Sequence, residues 1–196
     1  MSDFESEQPN PAARSQRPDL VLLLLLLASL SLNVYLGWKV KQGNAGPNLP
    51  QKVALGTRVE PITVSSLDGV VQTISYRDTD KPTVLYILSP DCIWCERNRE
   101  NIVKLGELGD RFRFIGLSLT ESGLKEYVEK QHFKFPVYTR VAAEAISSLG
   151  LGTTPQTIVV SPDGRVLKNW TGAYSERTRG EVEEFFRTRL PGLTSN

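Results

Sequence analysis

Two cysteines separated by two residues are the most reactive pair of side chains in this sequence. They form the motif Cys92-Ile93-Trp94-Cys95 and are the only cysteines of the chain. The motif follows an apolar, β-rich run, Thr83–Leu88, and precedes a stretch with helical character. The start of a helix offers free backbone N–H groups and a partial positive charge, and both stabilise a thiolate. The spacing therefore predicts an attacking thiolate at Cys92 and a shielded, resolving thiol at Cys95 one turn later.

Other uses of a cysteine pair fit the sequence less well. His132 is the only histidine, so a four-ligand zinc site would need both cysteines, His132 and a carboxylate. Two inert cysteines in a core are disfavoured because Ser, Pro and Asp directly before Cys92 indicate a loop. A structural disulfide across two residues would close too small a loop to stabilise the chain much. We therefore predict a redox-active disulfide between Cys92 and Cys95 that needs no metal and no organic cofactor.

The composition excludes several classes of protein. The chain has 196 residues, with 23 Lys and Arg against 22 Asp and Glu, a net charge of +1 and 40% apolar residues. Such a balance gives no electrostatic reason to expect a nucleic-acid partner. Two cysteines exclude a disulfide-dense secreted scaffold, and the apolar fraction is sufficient for a globular core. One mid-sized domain with extra segments is the expected organisation.

A leucine-rich run near the N-terminus has the length of a membrane-spanning helix. Residues 20–38 carry no formal charge, and a span needs about 20 mostly apolar residues. A cleaved signal peptide is the main alternative, but four acidic residues precede the run against two arginines, whereas signal peptides begin with a positive flank. We predict a disordered tail over 1–19, a transmembrane anchor over 20–40, a linker over 41–50 and a globular domain over 51–192.

The pattern of the globular domain is that of an α/β protein with mixed strand directions. An Asp-Gly turn between two short β-rich segments predicts a hairpin at its beginning. Strands and helices then alternate until a second hairpin and a final helix. The predicted strands are 62–65, 70–75, 83–88, 112–119, 136–139, 157–161 and 165–170, and the predicted helices are 93–108, 121–131, 142–149 and 175–190.

The motifs in this order resemble a known family. LYILSPDCIWC resembles the strand and active-site turn of thioredoxin-fold proteins, and Thr154-Pro155 stands before an apolar strand and a second Asp-Gly turn. The chain over 51–192 is similar to the membrane-anchored TlpA/ResA-like thiol–disulfide oxidoreductases of the AhpC/TSA redoxin type. Its LSPDC segment is also similar to the sequence of the MauD-like accessory proteins of that group. This resemblance implies a thioredoxin-like fold with an N-terminal β-hairpin extension and an inserted βα unit, preceded by one transmembrane helix.

The resemblance also implies residue roles beyond the two cysteines. Thr154–Pro155 would be a cis peptide bond facing the sulfurs, and the Thr154 backbone would pair with an extended substrate segment. Trp94 has no such counterpart in the family pattern, and its residue type alone predicts either a flat apolar contact for a peptide partner or packing in the core. Two positions depart from the family pattern, because Tyr86 and Asn98 stand where thioredoxins and ResA-like proteins carry an acidic residue. The sequence therefore does not identify the group that accepts the proton of Cys95.

The function that the resemblance implies is reduction of disulfides in exported proteins, with apocytochrome c or a similar protein as the substrate. A membrane thiol reductase would be the electron donor, since the chain has no third cysteine. Such chemistry is most useful outside the cytoplasm, so we expect a cytoplasmic N-terminus and an extracytoplasmic domain. The charges that flank the span are too balanced to set its orientation. A disulfide oxidase or isomerase, or a non-catalytic peptide-binding assembly factor, remains an alternative.

Overall fold

The computed structural model describes residues 17–42 and 52–194, in two separate units. Helix α1, Arg17–Gln42, forms the first unit. Its segment Leu20–Lys39 is long and apolar enough to cross a membrane, although an N-terminal signal sequence passes the same test of length and composition. The predicted tail over 1–19 and linker over 41–50 fall largely outside the described residues.

The second unit is built on a five-stranded mixed sheet with the order β5-β4-β3-β6-β7. The central strand β3 pairs parallel with β4 and antiparallel with β6, and a separate antiparallel hairpin, β1-β2, precedes the sheet. The strands are β1 Ile62–Ser65, β2 Val71–Ile74, β3 Thr83–Leu88, β4 Arg113–Ser118, β5 Val137–Tyr138, β6 Gln156–Val160 and β7 Val166–Thr171.

Five helices accompany these strands, and their positions follow the sequence pattern with three corrections. The predicted helix 121–131 begins only at Leu124, because Gly123 before it adopts a left-handed conformation with φ +67°. The predicted helix 93–108 is interrupted at Asn98, which caps one helix and begins the next. The predicted helix 175–190 ends at Phe186 because Arg187 adopts a left-handed conformation with φ +48°. The helices are α2 Ile93–Arg97, α3 Arg99–Gly106, α4 Leu124–Gln131, α5 Ala143–Leu149 and α6 Glu176–Phe186.

Strand β3 lies between two apolar clusters because its side chains alternate between the faces of the sheet. Leu85 and Ile87 pack with the hairpin and α5 on one face. Val84, Tyr86 and Leu88 pack on the other face with residues from α2, α3, α4 and α6. All six residues of β3 are buried, as expected of a strand covered on both faces. This central strand ends just before the cysteine motif, so the motif lies at the C-terminal end of the middle strand of the sheet.

Candidate active site

The cysteine motif lies at the start of α2, directly after β3. Cys92 is the N-cap residue, with an extended backbone at φ −85°, and its N–H donates to the Ser89 carbonyl at 3.1 Å. Cys92 is half-buried, whereas Cys95 is only 1% exposed. Both thiols are free in the structure. The two predicted redox residues therefore lie one turn apart in unequal environments.

Hydrogen bonding and burial distinguish the two sulfurs. The Cys95 backbone N–H donates to Cys92 Sγ at 3.1 Å, so the side chain of the N-cap residue is the partner of a free N–H at the start of α2. Burial raises the pKa of the Cys95 thiol well above its usual range, and the neighbouring Cys92 adds to this effect. Hydrogen bonding from the Ser89 backbone and the Thr154 side chain opposes it. Cys95 is therefore a protonated, inaccessible thiol that must lose its proton before it can act as a nucleophile.

Thr154 and Pro155 lie beside the cysteine pair at the start of β6. The Thr154–Pro155 peptide bond is cis, in agreement with the expectation from the sequence. Pro155 is buried and its carbonyl accepts from the Gly172 N–H at 2.7 Å, whereas Thr154 is half-buried and interacts with Cys95. Strand β6 pairs with β3, so the two loops that hold the cysteines and Thr154 leave adjacent strands.

Trp94 lies on the surface next to Cys92. Its exposed fraction is 47%, and that of its neighbour Ile93 is 52%. The Arg97 guanidinium stands 4.7 Å from the centre of the Trp94 ring, in cation–π geometry. This exposure excludes core packing, one of the two interpretations that the sequence left for Trp94; the other, a contact for a peptide substrate, stays a prediction.

The C-terminal segment after α6 is bound to the helices of the cysteine motif, which the sequence did not indicate. The Thr194 N–H donates to the Arg97 carbonyl at 3.0 Å, and Arg97 Nε donates to the Thr194 carbonyl at 3.2 Å. The Gly192 N–H donates to Asn101 Oδ1 at 2.9 Å. These bonds hold the backbone at the end of α2 and the side chain of Arg97, whose guanidinium lies over the Trp94 ring.

Asn98 and Tyr86, the two departures from the family pattern, are both buried behind Cys95. Asn98 Oδ1 accepts from Asn101 Nδ2 at 2.9 Å and from the Tyr174 N–H at 3.2 Å. Burial raises the pKa of Tyr86, the nearby Cys95 and other tyrosines add to this effect, and the Asn98 amide opposes it. Neutral groups therefore occupy the places where relatives of this kind are expected to hold a carboxylate.

The described residues offer no ready place for a metal ion. Across 17–42 and 52–194, no three His, Cys, Asp or Glu side chains converge. His132 is exposed and ends α4 in a left-handed conformation with φ +53°. The chemistry that this arrangement can perform is thiol chemistry at Cys92 and Cys95.

Comparisons with known proteins agree with the fold and with this chemistry. The profile of the thioredoxin-like domain matches residues 71–182. The thiol-disulfide oxidoreductase ResA of Bacillus thuringiensis subsp. konkukian is 22% identical over 179 residues, covering 88% of this chain and 95% of that protein. ResA of Bacillus subtilis is 20% identical over 186 residues, with coverages of 89% and 93%.

Solved structures show the same fold. The thioredoxin domain of a thiol-disulfide oxidoreductase from Bacteroides vulgatus superposes with a TM-score of 0.56 at 18% identity, covering 69% of this chain and 99% of that domain. A thiol:disulfide interchange protein from Bacteroides sp. gives a TM-score of 0.54 at 18% identity, with coverages of 69% and 91%. The predicted thioredoxin-like fold is confirmed by these matches.

Proposed function

Because the chain belongs to the thioredoxin-like domain family and is a thiol–disulfide oxidoreductase of ResA type, we propose that it reduces disulfides of exported proteins through Cys92 and Cys95. The observation that supports this most strongly is the unequal burial of the two thiols at the start of α2. A client disulfide can reach the half-buried Cys92. The buried Cys95 can react only with a disulfide that Cys92 has already formed.

The proposed reaction has two steps. The Cys92 thiolate attacks one sulfur of the client disulfide, so a mixed disulfide forms and the other client sulfur leaves as a thiolate. Cys95 then loses its proton and attacks Cys92 Sγ, which releases the second client thiolate and forms the Cys92–Cys95 disulfide. Two electrons pass from the pair to the client. A second dithiol must then reduce the pair, and a membrane thiol reductase is the proposed donor.

The surface around Cys92 supplies the proposed binding site for the client. Trp94 and Ile93 present exposed apolar area next to Cys92 in the chain, and the half-buried Thr154 with the cis Pro155 lies beside the cysteine pair. An extended client segment would hydrogen-bond to the Thr154 backbone as an added strand and lay an apolar side chain on Trp94. This mode selects for unfolded or flexible chains, as expected of apocytochrome c or a similar exported protein.

The proposed location is a membrane surface outside the cytoplasm. Helix α1 has the length and composition of a span, and the disulfides that such an enzyme acts on form in extracytoplasmic compartments. In this arrangement the N-terminus is cytoplasmic and the second unit is extracytoplasmic.

A trapping experiment tests the proposed function. The Cys95→Ser variant stops the reaction after the first step, so it should accumulate mixed disulfides with its clients, visible as dithiothreitol-sensitive adducts that mass spectrometry identifies. Cys92→Ser is the matched control and should give none. Equal adduct levels in the two variants, or full function in a chain that lacks both cysteines, would exclude the proposed reaction. The second result would favour a non-catalytic peptide-binding factor.

A further inference from the structure

The guanidinium of Arg97 lies over the exposed indole ring that follows the reactive cysteine. Its Cζ stands 4.7 Å from the centre of the Trp94 ring, and the two residues are three apart on α2, a spacing that makes side chains neighbours on a helix surface. Among residues 52–194, no carboxylate oxygen lies within 4.0 Å of an Arg97 nitrogen. The cation is therefore committed to the ring and not to an ion pair.

Two hydrogen bonds tie Arg97 to the C-terminal segment, residues 190–194. Arg97 Nε donates to the Thr194 carbonyl at 3.2 Å, and the Thr194 N–H donates to the Arg97 carbonyl at 3.0 Å. The Thr194 hydroxyl contacts the same Arg97 carbonyl at 3.3 Å. Because a free arginine side chain has many rotamers, a bond at Nε together with the ring contact restricts its motion.

The C-terminal segment is itself anchored before it reaches Arg97. Leu190 is buried, and its N–H donates to Glu183 Oε1 on α6 at 2.9 Å. The Gly192 N–H donates to the side chain of the buried Asn101 on α3 at 2.9 Å, and Gly192 has φ +102°, a conformation that favours glycine. The carbonyl that holds the Arg97 side chain is thus fixed by contacts to two helices other than α2.

A fixed cation over the ring has a consequence because Trp94 is otherwise a surface residue. The side chain is 47% exposed, and Cys92, the N-cap of α2, lies two residues before it. An exposed indole that changes rotamer must be ordered when a client segment binds, and this ordering weakens binding. A ring already held by a guanidinium can accept an apolar client side chain on its remaining surface without that loss.

From these contacts we infer that Arg97, held at Thr194 by the C-terminal segment, fixes the Trp94 ring in the position that binds the client beside Cys92. This role rests on the proposed function and deepens it. Arg97 and Thr194 are positioning residues that act through Trp94 and touch no reacting atom. They increase the affinity for disulfides carried by extended polypeptide segments, which are long enough to reach the ring.

The test compares matched substitutions in the full chain. Arg97→Gln removes the cation, and its control is Arg99→Gln, which alters an arginine that contacts Glu96 and Glu100. Thr194→Pro removes the N–H that binds the Arg97 carbonyl, and its control is Thr194→Ala, which keeps both backbone bonds.

The kinetic probe is a synthetic peptide oxidised across C-x-x-C-H, the haem-attachment pattern, with a leucine beside its first cysteine. The reduced chain in detergent micelles is mixed with excess peptide, and acid quenching with alkylation follows transfer of two electrons from Cys92 and Cys95 to the peptide disulfide. Arg97→Gln and Thr194→Pro should raise the half-saturating peptide concentration about two- to fivefold, the size expected for one exposed cation–π contact, with an unchanged limiting rate. The two controls should match the unmodified chain.

A second substitution distinguishes action through Trp94 from a general structural role. In a Trp94→Ala background, Arg97→Gln should cause no further change in the half-saturating concentration, because the ring that it positions is absent. A full two- to fivefold effect in that background would overturn the positioning role, since Arg97 would then act independently of Trp94.

Fluorine NMR of the chain labelled with 5-fluorotryptophan reports on the ring directly. The chain has three tryptophans, and the signal of Trp94 is assigned by its loss in Trp94→Phe. Arg97→Gln and Thr194→Pro should shift this signal, whereas that of the buried Trp170 should stay in place and show an intact fold. An unchanged Trp94 signal in both variants would overturn the positioning role.

The outcomes separate this role from the proposed function. Reduction of the peptide with equal half-saturating concentrations in all five chains would leave the proposed function standing and overturn the role of Arg97 and Thr194. If the unmodified chain does not reduce the peptide, the proposed function fails and the positioning role fails with it.

Discussion

Replacing the buried thiol should change how the free energy of unfolding depends on alkaline pH. Burial raises the pKa of Cys95 in the folded protein, while the ordinary value is 9.0. Above pH 9 the thiol ionises in the unfolded chain but stays protonated in the folded one. The unfolded state therefore binds fewer protons, and the free energy of unfolding falls as pH rises. Below pH 9 the thiol is protonated in both states, so the contribution of Cys95 to the free energy of unfolding is fully present.

The magnitude follows from one proton. For an unfolded-state pKa of about 9, a thiol that remains protonated in the native state lowers the free energy of unfolding by about 1.4 kcal/mol at pH 10 relative to pH 7. Four tyrosines whose pKa is also raised by burial contribute as pH passes 10.0, but they are shared by any variant that keeps them. A comparison of two chains therefore isolates Cys95.

The assay is urea unfolding of the reduced protein at pH 7, 9 and 10, for the unmodified chain and Cys95→Ala. Between pH 7 and 10 the unmodified chain should lose about 1.4 kcal/mol more than the variant. The constant cost of removing the buried side chain shifts the whole curve and leaves this difference unchanged. Parallel curves for the unmodified chain and Cys95→Ala would refute the claim that Cys95 is held protonated.

Three further substitutions test the client surface, the core and the anchor. Trp94→Ala should lower kcat/KM for a protein client fivefold or more while leaving reaction with a small disulfide unchanged, since an exposed aromatic contact is worth at least about 1 kcal/mol. Phe186→Ala should lower the free energy of unfolding by about 3–5 kcal/mol in urea titrations, because the ring is fully buried among other aromatic rings. Leu27→Arg should shift the chain from the membrane to the soluble fraction, since a central arginine costs about 2.5–3.5 kcal/mol; unchanged membrane association would contradict the predicted span.

Local signals were enough to place most of the fold. The run of six buried residues in β3 and the two Asp-Gly turns predicted their elements to within a residue, because burial on both faces and turn geometry leave a direct mark on residue type. The break at Asn98 left no such mark. Asparagine is tolerated inside helices, and only its bonds to Asn101 and Tyr174 show why this one divides two helices.

The parts of the site that are close together in the sequence could be predicted from it. Cys92 and Cys95 are close in sequence, so their spacing alone indicated their chemistry, and the family resemblance supplied Thr154 and Pro155. The environment of Cys95 depends on residues far from it in the sequence, such as Tyr127 on α4. Contacts of this kind, like the bonds from the C-terminal segment to Arg97, arise only when the helices pack.

The most direct test of the account is a redox titration of the Cys92–Cys95 pair, with alkylation and mass analysis of both thiols. The account predicts a reversible two-electron couple near or below about −230 mV, the range of reductants such as thioredoxin and glutaredoxins. A value near about −120 mV would contradict reduction as the direction of electron flow and indicate a disulfide oxidase. Failure to form a reversible disulfide would contradict the catalytic role of the pair altogether.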